Sequence, residues 1–453
     1  MSTIALKAKP SLSSLEFAVT AFKNRKDPYT SFIKLPQRFP EMVSAKIKGR
    51  IFNLMMTSAM AQYVLQKNYL NYAKDEPYDV LRFFFGDGLL TNNNPTNWRQ
   101  QRTLIQPAFH RESLKRISEV VTTSTNNLLQ SWKQKEGTTI NFTKEMAKLT
   151  IDIVSKSLFT TDVPEESIDL VWNAINHLNE TAAIILHPVF SIPFKFPMPR
   201  YTKARQYSKQ LDELVFGIIK KRREQTNPPH DLLQLLMDAR YEDTGTGMTD
   251  QQLRDEIMII FVAGHETTVN ALSWIWYLVK QHAACEQKLK EESFPFAEMK
   301  SPIFDDLPRL QYGKMVMNEA LRMYPPVASV GRKALQDDVI EGYPIRAGEN
   351  VGINIAALHH HPAYWQNPFD FHPERFRNFE LKGDNRFIFM PFGGGPRICI
   401  GNNFAMMEMQ FINAMLSSRV EMDLVSKNVK PIPLLTLKPK NGILMHLKEV
   451  KAI

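Results

Sequence analysis

Between Thr249 and His282 the chain runs without a proline. At about 1.5 Å per residue this predicts a helix of roughly 50 Å, long enough to cross a whole domain, so the rest of the chain must pack around it. Its start is marked by Thr249-Asp250-Gln251-Gln252, where a threonine and a glutamine three residues on can satisfy each other's backbone N–H groups. Near its middle lies Ala263-Gly264-His265-Glu266-Thr267-Thr268. Charged groups at the centre of an otherwise apolar helix are costly unless they are used. Gly264 weakens the helix there, and the Thr267 hydroxyl can bend it by bonding a carbonyl one turn back. The plainer alternative is a buried polar pair with no chemical role.

The second constraint is a cysteine. The chain has only 2. Cys285, in Gln281-His282-Ala283-Ala284-Cys285, has no partner pattern and reads as an ordinary reduced thiol. Cys399 sits in Phe392-Gly393-Gly394-Gly395-Pro396-Arg397-Ile398-Cys399-Ile400-Gly401. Contexts so different argue against a disulfide framework and fit a reducing compartment. Gly401 and the apolar run Phe404-Ala405-Met406-Met407 read as the start of a helix, where backbone N–H groups stabilise a thiolate. Gly393, Gly394 and Gly395 lack Cβ, so the backbone can approach a planar ligand closely. The spacing Phe-x-x-Gly-x-Arg-x-Cys-x-Gly resembles the haem-binding signature of the cytochrome P450 family, the haem-thiolate monooxygenases.

That resemblance implies haem b with the Cys399 thiolate as axial ligand, a donor that pushes electron density toward the O–O bond of dioxygen. Phe392 would shield the sulfur, Gly395 would shape the loop, and Arg397 would reach a haem propionate. Trp98 and Arg102, one helical turn apart, resemble the family's Trp-x-x-x-Arg element at the propionates, and Arg332 its further basic residue. Ala263–Thr268 resembles the oxygen-activation element. Thr267 would orient a proton-donating water and Glu266 would relay protons from solvent, with His265 facing away from the haem. Glu319 and Arg322, with Arg375 in Pro373-Glu374-Arg375-Phe376, resemble a buried charge network that locks the haem-loop region. Phe84, Ala263, Val327, Ala328, Val330 and Leu435 are the candidate substrate-pocket residues. The implied fold is mainly α, a triangular prism with a small β-rich lobe, at about 28–60 plus parts of 330–360, in a single domain over 1–453.

Read along the chain, 41–57 predicts a strand pair around Lys48-Gly49-Arg50, 58–73 a helix, and 76–97 an irregular stretch holding Phe83-Phe84-Phe85. A helix starts near Thr96, and 120–235 is mostly helical. Leu186–Arg200 breaks that pattern with Pro188, Pro193, Pro197 and Pro199 among aromatic residues, and reads as an apolar lid over the substrate channel. Val327–Arg332 should run extended past the haem edge. Leu434–Leu437 should form a late hairpin touching substrate.

No stretch reaches the roughly 18 apolar residues of a membrane span, and the N-terminus resembles neither a signal peptide nor an anchor. These features predict a soluble cytoplasmic protein of bacterial type with no membrane anchor. The net charge is +9, yet no basic run is interleaved with aromatics, so nucleic acid is not expected. With no cysteine cluster and no flavin module, electrons for the insertion of one oxygen atom from dioxygen must come from a separate partner. An acidic ferredoxin or flavodoxin, fed by its reductase, would dock by electrostatic steering on Arg99, Arg111, Lys115 and Arg116. The small-molecule substrate is open between a fatty acid or terpene, to be hydroxylated, and a methyl ether such as 6-O-methyl-galactose, to be demethylated. The whole chain also resembles soluble bacterial enzymes that act on methylated sugars. The alternatives are a peroxide-driven or isomerising haem-thiolate enzyme, against which the intact Glu266-Thr267 pair argues, and a non-enzymatic haem sensor or electron carrier.

Overall fold

The structure, a computed structural model, describes residues 6–23, 26–159, 165–185, 196, 198–229, 231–298 and 301–451. The N-terminal part carries short helices, α1 (Ser14–Lys23), α2 (Pro28–Ile33), α3 (Leu35–Arg38) and α4 (Ser58–Gln62), and the strands β1 (Ser11–Leu12), β2 (Met42–Ile47), β3 (Arg50–Met55) and β4 (Tyr72–Ala73). Helices then dominate: α5 (Glu76–Phe85), α6 (Pro95–Ile105) and α7 (Arg111–Lys133), then, after β5 (Thr139–Asn141), α8 (Phe142–Phe159), α9 (Glu165–Ile185), α10 (Pro199–Arg223) and α11 (Leu232–Asp238). The long helix is α12 (Asp250–Val279), followed by α13 (Ala283–Ser293), α14 (Pro295–Glu298) and α15 (Gln311–Met323). The last third mixes β6 (Val330–Ala334), β7 (Asp338–Ile340), β8 (Tyr343–Ile345) and β9 (Asn350–Ile353) with α16 (Ile355–His359), α17 (Asn385–Ile388) and α18 (Asn402–Arg419). It ends in β10 (Val420–Leu424), β11 (Pro431–Pro433), β12 (Leu437–Pro439) and β13 (Leu444–Val450).

The main sheet has the order β1-β2-β3-β9-β6-β4. The β2–β3 hairpin pairs Met42 with Met55 and Ile47 with Arg50, and turns through Lys48 and Gly49, both at positive φ. β3 then pairs in parallel with β9, some 300 residues on, so the lobe unites the N-terminal strands with 330–353. Its strands β1 and β4 lie outside the boundaries expected from the sequence.

Two apolar cores flank the middle of α12. Leu253, Ile257 and Ile259 pack with Phe84, Phe85, Ile175 and Leu211. Val269, Trp274 and Trp276 pack with Trp132, Phe142 and Phe411. Between these anchors burial lapses: residues 260–264 are only partly covered, and Ala263 is exposed. A helix held by cores at both ends and left open at its centre is the frame for the site.

Three expectations change. The 58–73 segment is not one helix: α4 passes into a π-helical turn over Tyr63–Lys67, a 3-10 turn over Tyr69–Asn71, and β4. The Tyr63 and Tyr72 hydroxyls and the Asn68 amide donate to Asp338 at 3.0, 2.6 and 2.9 Å, and these distant contacts override local helix preference. The 76–97 stretch is not irregular throughout, since α5 occupies Glu76–Phe85, with its apolar side buried on α9, α10 and α12. α12 stops at Val279, because His282 leaves the helical region and its Nδ1 bonds the Leu278 carbonyl at 2.8 Å. The Leu186–Arg200 lid lies almost wholly outside the described residues. Within it Phe196 is exposed, and Pro199 opens α10.

Candidate active site

α6 opens on a local cap. The Asn94 side chain accepts from the Thr96 and Asn97 N–H groups, each at 3.0 Å, with Pro95 in the first turn, so the helix begins one residue before Thr96. Trp98 and Arg102 share its face, and the guanidinium carbon of Arg102 lies 5.7 Å from the Trp98 ring centre. Arg397 comes from the cysteine loop onto the same ring at 4.3 Å. Arg102 also donates to the Ile398 carbonyl at 2.8 Å, and Arg397 to that of Asn92 at 3.0 Å. α6 and the loop are thus stitched together through cations and a tryptophan.

The loop's glycines have separate reasons. Gly393 and Gly395 stand at positive φ, +74° and +69°. A Cβ on Gly395 would fall 1.8 Å from the Leu65 carbonyl oxygen, and one on Gly394 would fall 2.8 Å from the Phe387 ring. At these two positions protein packing, more than approach to a ligand, demands glycine. The Phe392 carbonyl accepts from the Cys399 N–H at 3.0 Å, which closes the loop below the sulfur. Cys399 keeps accessible surface, yet the protein surrounds it closely enough that burial pushes its thiol up, against the Gly401 N–H and the Arg102 guanidinium, which favour the thiolate. Exposure within a dense surrounding marks a residue on the wall of an internal opening. Cys285 is buried in α13, and burial pushes its thiol up to about 11.

Four basic side chains lie around this opening, and their hydrogen bonds go to neutral carbonyls. Lys74 donates to the Leu90 carbonyl, Arg102 to Ile398, Arg332 to Gly331 at 2.7 Å and Arg397 to Asn92. Burial, together with the Arg397 and Arg332 charges, holds Lys74 well below the usual lysine range. Burial and then Arg332 bring Arg397 down to about 10. Asp75 lies beside Arg332, whose charge opposes the burial that pushes it up to about 6, and it offsets one of these charges. Such a cluster has room for anionic charge from outside the chain, and the two propionates of a haem would fit it. Trp98, Arg102, Arg332 and Arg397 were expected from the sequence. Lys74 was not: a lysine followed by Asp75-Glu76 looks like solvated charge, and only the fold turns it inward.

On α12, Thr267 donates its hydroxyl proton to the Ala263 carbonyl at 2.6 Å, the contact that bends a helix. Glu266 is buried at 6% exposure. Its carboxylate accepts from Asn179 of α9 and, at 2.8 Å, from Thr436, and it pairs with Lys438 of β12 at 2.7 Å. The sequence reading missed Lys438, Thr436 and Asn179. Their one signal was Lys438 itself, a charge at the end of the apolar run Leu434–Leu437. His265 turns elsewhere, bonding Thr150 of α8 at 2.7 Å and lying edge-on to Trp172 of α9. Burial, aided by the Lys438 charge, lowers its pKa to about 3.

The 326–330 segment and the late hairpin meet: the Leu437 N–H donates to the Pro326 carbonyl at 2.8 Å, and the Trp274 indole of α12 donates to Leu437 O at 3.1 Å. This brings Val327, Ala328, Val330 and Leu435, all partly exposed, onto the same framework as Ala263. Phe84 differs: at 1% exposure it is a core residue of α5. Glu319, Arg322 and Arg375 converge. Glu319 receives Arg322 Nε at 2.7 Å and Arg375 Nε at 2.9 Å, with Glu319 and Arg322 both fully buried. No described helix is long and apolar enough to cross a membrane.

Known proteins show the same pattern. The family description Cytochrome P450 matches residues 10–451. Cytochrome P450 97B2, chloroplastic, of Glycine max is 30% identical, over 88% of this chain and 79% of its own. Cyclooctat-9-en-7-ol 5-monooxygenase of Streptomyces melanosporofaciens is 29% identical, over 80% and 76%, and carotene epsilon-monooxygenase, chloroplastic, of Arabidopsis thaliana is 29% identical, over 88% and 78%. A match running almost from end to end, on a chain whose cysteine loop is joined to α6 through Arg102, Arg397 and Trp98, places this protein in the cytochrome P450 family of haem-thiolate monooxygenases.

Proposed function

We propose that this P450 monooxygenase, folded as one domain, hydroxylates an apolar terpene- or fatty-acid-like substrate, a terpene above all. The observation that carries the reading is the composition of the partly open wall: Ala263, Val327, Ala328, Val330 and Leu435 offer no charge and no side-chain donor. A sugar needs polar partners for each hydroxyl it buries, and these five side chains supply none. Two relatives, named for acting on carotene and on cyclooctat-9-en-7-ol, point the same way.

Haem b, held by the Cys399 thiolate, supplies the family's chemistry: reductive cleavage of dioxygen and insertion of one oxygen atom into a C–H bond. The chain's own residues do the rest. The Gly401 N–H and Arg102 stabilise the thiolate charge, and Phe392 shields it. Lys74, Arg102, Arg332 and Arg397 neutralise the propionates, with Trp98 as the platform. Thr267 holds a water by its hydroxyl lone pairs, its proton being committed to Ala263 O. Glu266 passes protons inward, and its link to Lys438 gives it a charged partner nearer the surface, since the Lys438 side chain is 20% exposed. Electrons arrive from an acidic ferredoxin or flavodoxin docked on Arg99, Lys115 and Arg116, all exposed, with Arg111 partly occupied by Asp305 at 3.5 Å.

The test is a titration of the ferric protein followed by its Soret band, with a terpene hydrocarbon, a long-chain fatty acid and 6-O-methyl-galactose as probes. A shift with the apolar probes alone is the expected result. A shift with the methylated sugar alone, with formaldehyde released on turnover, would overturn the substrate assignment in favour of O-demethylation.

A further inference from the structure

α18 leaves the Cys399 loop at Asn402 and carries Glu408 in its second turn. Glu408 is fully buried. Its Oε1 has no hydrogen-bond partner, and its Oε2 touches only the Thr268 hydroxyl of α12, at 3.3 Å. The Thr268 hydroxyl has one proton and two acceptors in reach, the Gly264 carbonyl at 3.0 Å and Glu408 Oε2 at 3.3 Å. With the proton on the nearer carbonyl, the hydroxyl accepts from Glu408, and a carboxyl donates only when protonated. The surroundings agree: an ionised carboxylate with no cation and no N–H donor in a fully buried site is very unfavourable.

We propose that Glu408 is a positioning residue, kept as a neutral carboxylic acid that donates to Thr268 and so ties the Gly264–Thr268 turn of α12 to the helix that leaves the Cys399 loop. The turn that carries Glu266 and Thr267 is thereby linked to the helix that leaves the sulfur loop, one turn-level contact beside the Trp276–Asn413 bond further along the same two helices at 2.9 Å. The inference rests on the monooxygenase site assigned above. It predicts a pH limit. Burial pushes Glu408 up, to about 8, and only the Thr268 hydroxyl, able to turn its proton to a carboxylate, opposes this. Among the described residues no charged group of α7, α12, α13, α14, α15, β10 or the 3-10 turn over Phe304–Arg309, the elements packed on α18, acts on it. Ionisation in mildly alkaline solution turns the Thr268 proton from Gly264 to Glu408 and so releases the Gly264–Thr268 contact.

The experiment uses the haem-loaded full chain. Infrared difference spectra of wild type against Glu408→Gln should show the C=O stretch of a protonated carboxyl at pH 7, titrating with a midpoint near 8. The amide of Glu408→Gln keeps a neutral donor, so product formed per electron pair should hold at pH 7 and stay flat into alkali, where wild type falls. Glu408→Leu and Thr268→Val should each lower that ratio by about fivefold, the worth of one neutral hydrogen bond, and together by no more than either alone. Absence of a protonated-carboxyl signal at pH 7, an alkaline fall retained in Glu408→Gln, or additive losses in the double variant would each overturn the inference. If Glu408→Leu does not fold, Glu408→Gln and Thr268→Val still decide it. A wild type lacking the thiolate-type ferrous–carbonyl band would instead overturn the haem-thiolate reading itself, so the two failures are distinguishable.

Discussion

Replacing Glu319 by alanine should strip the protein of haem without touching any group near it. The carboxylate is fully buried on α15 and accepts four hydrogen bonds: from Arg322 Nε and Nη2 at 2.7 and 2.8 Å, from Arg375 Nε at 2.9 Å, and from the His372 N–H at 2.8 Å. Arg322 is equally buried and otherwise meets the Trp365 ring, 5.3 Å from its centre, and the carbonyls of His359, Pro368 and Asp370 at 2.7, 2.7 and 3.2 Å. Alanine at 319 leaves that guanidinium in the core with dipoles but no counter-charge, at a cost of about 3–5 kcal/mol. Native stabilities of about 5–15 kcal/mol make this a large fraction of the total. With an unfolding entropy of about 2.1 cal/mol/K per residue, the 453-residue chain should melt roughly 3–5 °C lower. The strain falls where α15 passes into 324–332, the segment that delivers Arg332, so the haem-loaded fraction should drop as well. The assay is the ratio of Soret to protein absorbance in purified Glu319→Ala, with a thermal melt of the same sample. Glu319→Gln, which keeps one acceptor oxygen without the charge, should lie between. Normal haem loading and a melting point within about 1 °C of wild type would refute the assignment of this network as the lock on the haem region.

Arg397→Ala removes a cation whose hydrogen bond goes to a neutral carbonyl, that of Asn92. It should weaken haem retention about ten- to a hundredfold, the worth of one charge-assisted hydrogen bond, as read by haem transfer to an acceptor protein; an unchanged transfer rate would remove Arg397 from the propionate set. Lys438→Met deprives Glu266 of its ion pair. Discounted for the partial exposure of the lysine, the loss of stability should be about 1–2 kcal/mol. Hydrogen exchange should quicken across 431–439 while the β2–β3 hairpin stays unchanged. Burial pushes Glu256 of α12 up to about 8, although the Leu89 N–H donates to it at 3.0 Å. Its folded pKa therefore lies above the unfolded value, so its contribution to stability is complete below about pH 4.5 and is lost as pH rises through 8, at up to about 1.4 kcal/mol per pH unit. Glu256→Gln should flatten the pH dependence of urea unfolding between about pH 5 and 8. Finally, electron transfer from an acidic ferredoxin should slow steeply with added salt, and a flat salt dependence would move the docking site away from Arg99, Lys115 and Arg116.

The long helix, the cysteine loop, the strand pair and the Glu319 network were legible because each is written in adjacent residues or at a fixed spacing. A capping box, a proline-free run, a glycine pattern and a glutamate–arginine step of three are local facts, and they dictate local structure wherever the chain goes. What lay beyond the sequence was most of the contacts made by residues far apart in the chain, the Glu319–Arg375 pair excepted. Nothing in Ala73-Lys74-Asp75 says that Lys74 turns inward beside Arg397 and Arg332, and nothing in Leu437-Lys438-Pro439 says that its charge meets Glu266, 172 residues earlier. Nor could 58–73 be read, because Asp338 pulls three of its side chains out of helical register. The reason for Gly395 was also hidden, since the Leu65 carbonyl that excludes a Cβ comes from another lobe. By itself, then, the sequence determined the chemistry of this protein, a thiolate loop and a polar turn on a long helix, because reactive groups must be carried by particular side chains at particular spacings. The tertiary structure alone decided the electrostatic setting of that chemistry, which cations surround the opening and which charge holds the buried acid, because a buried charge depends on partners that only the folded chain can bring near.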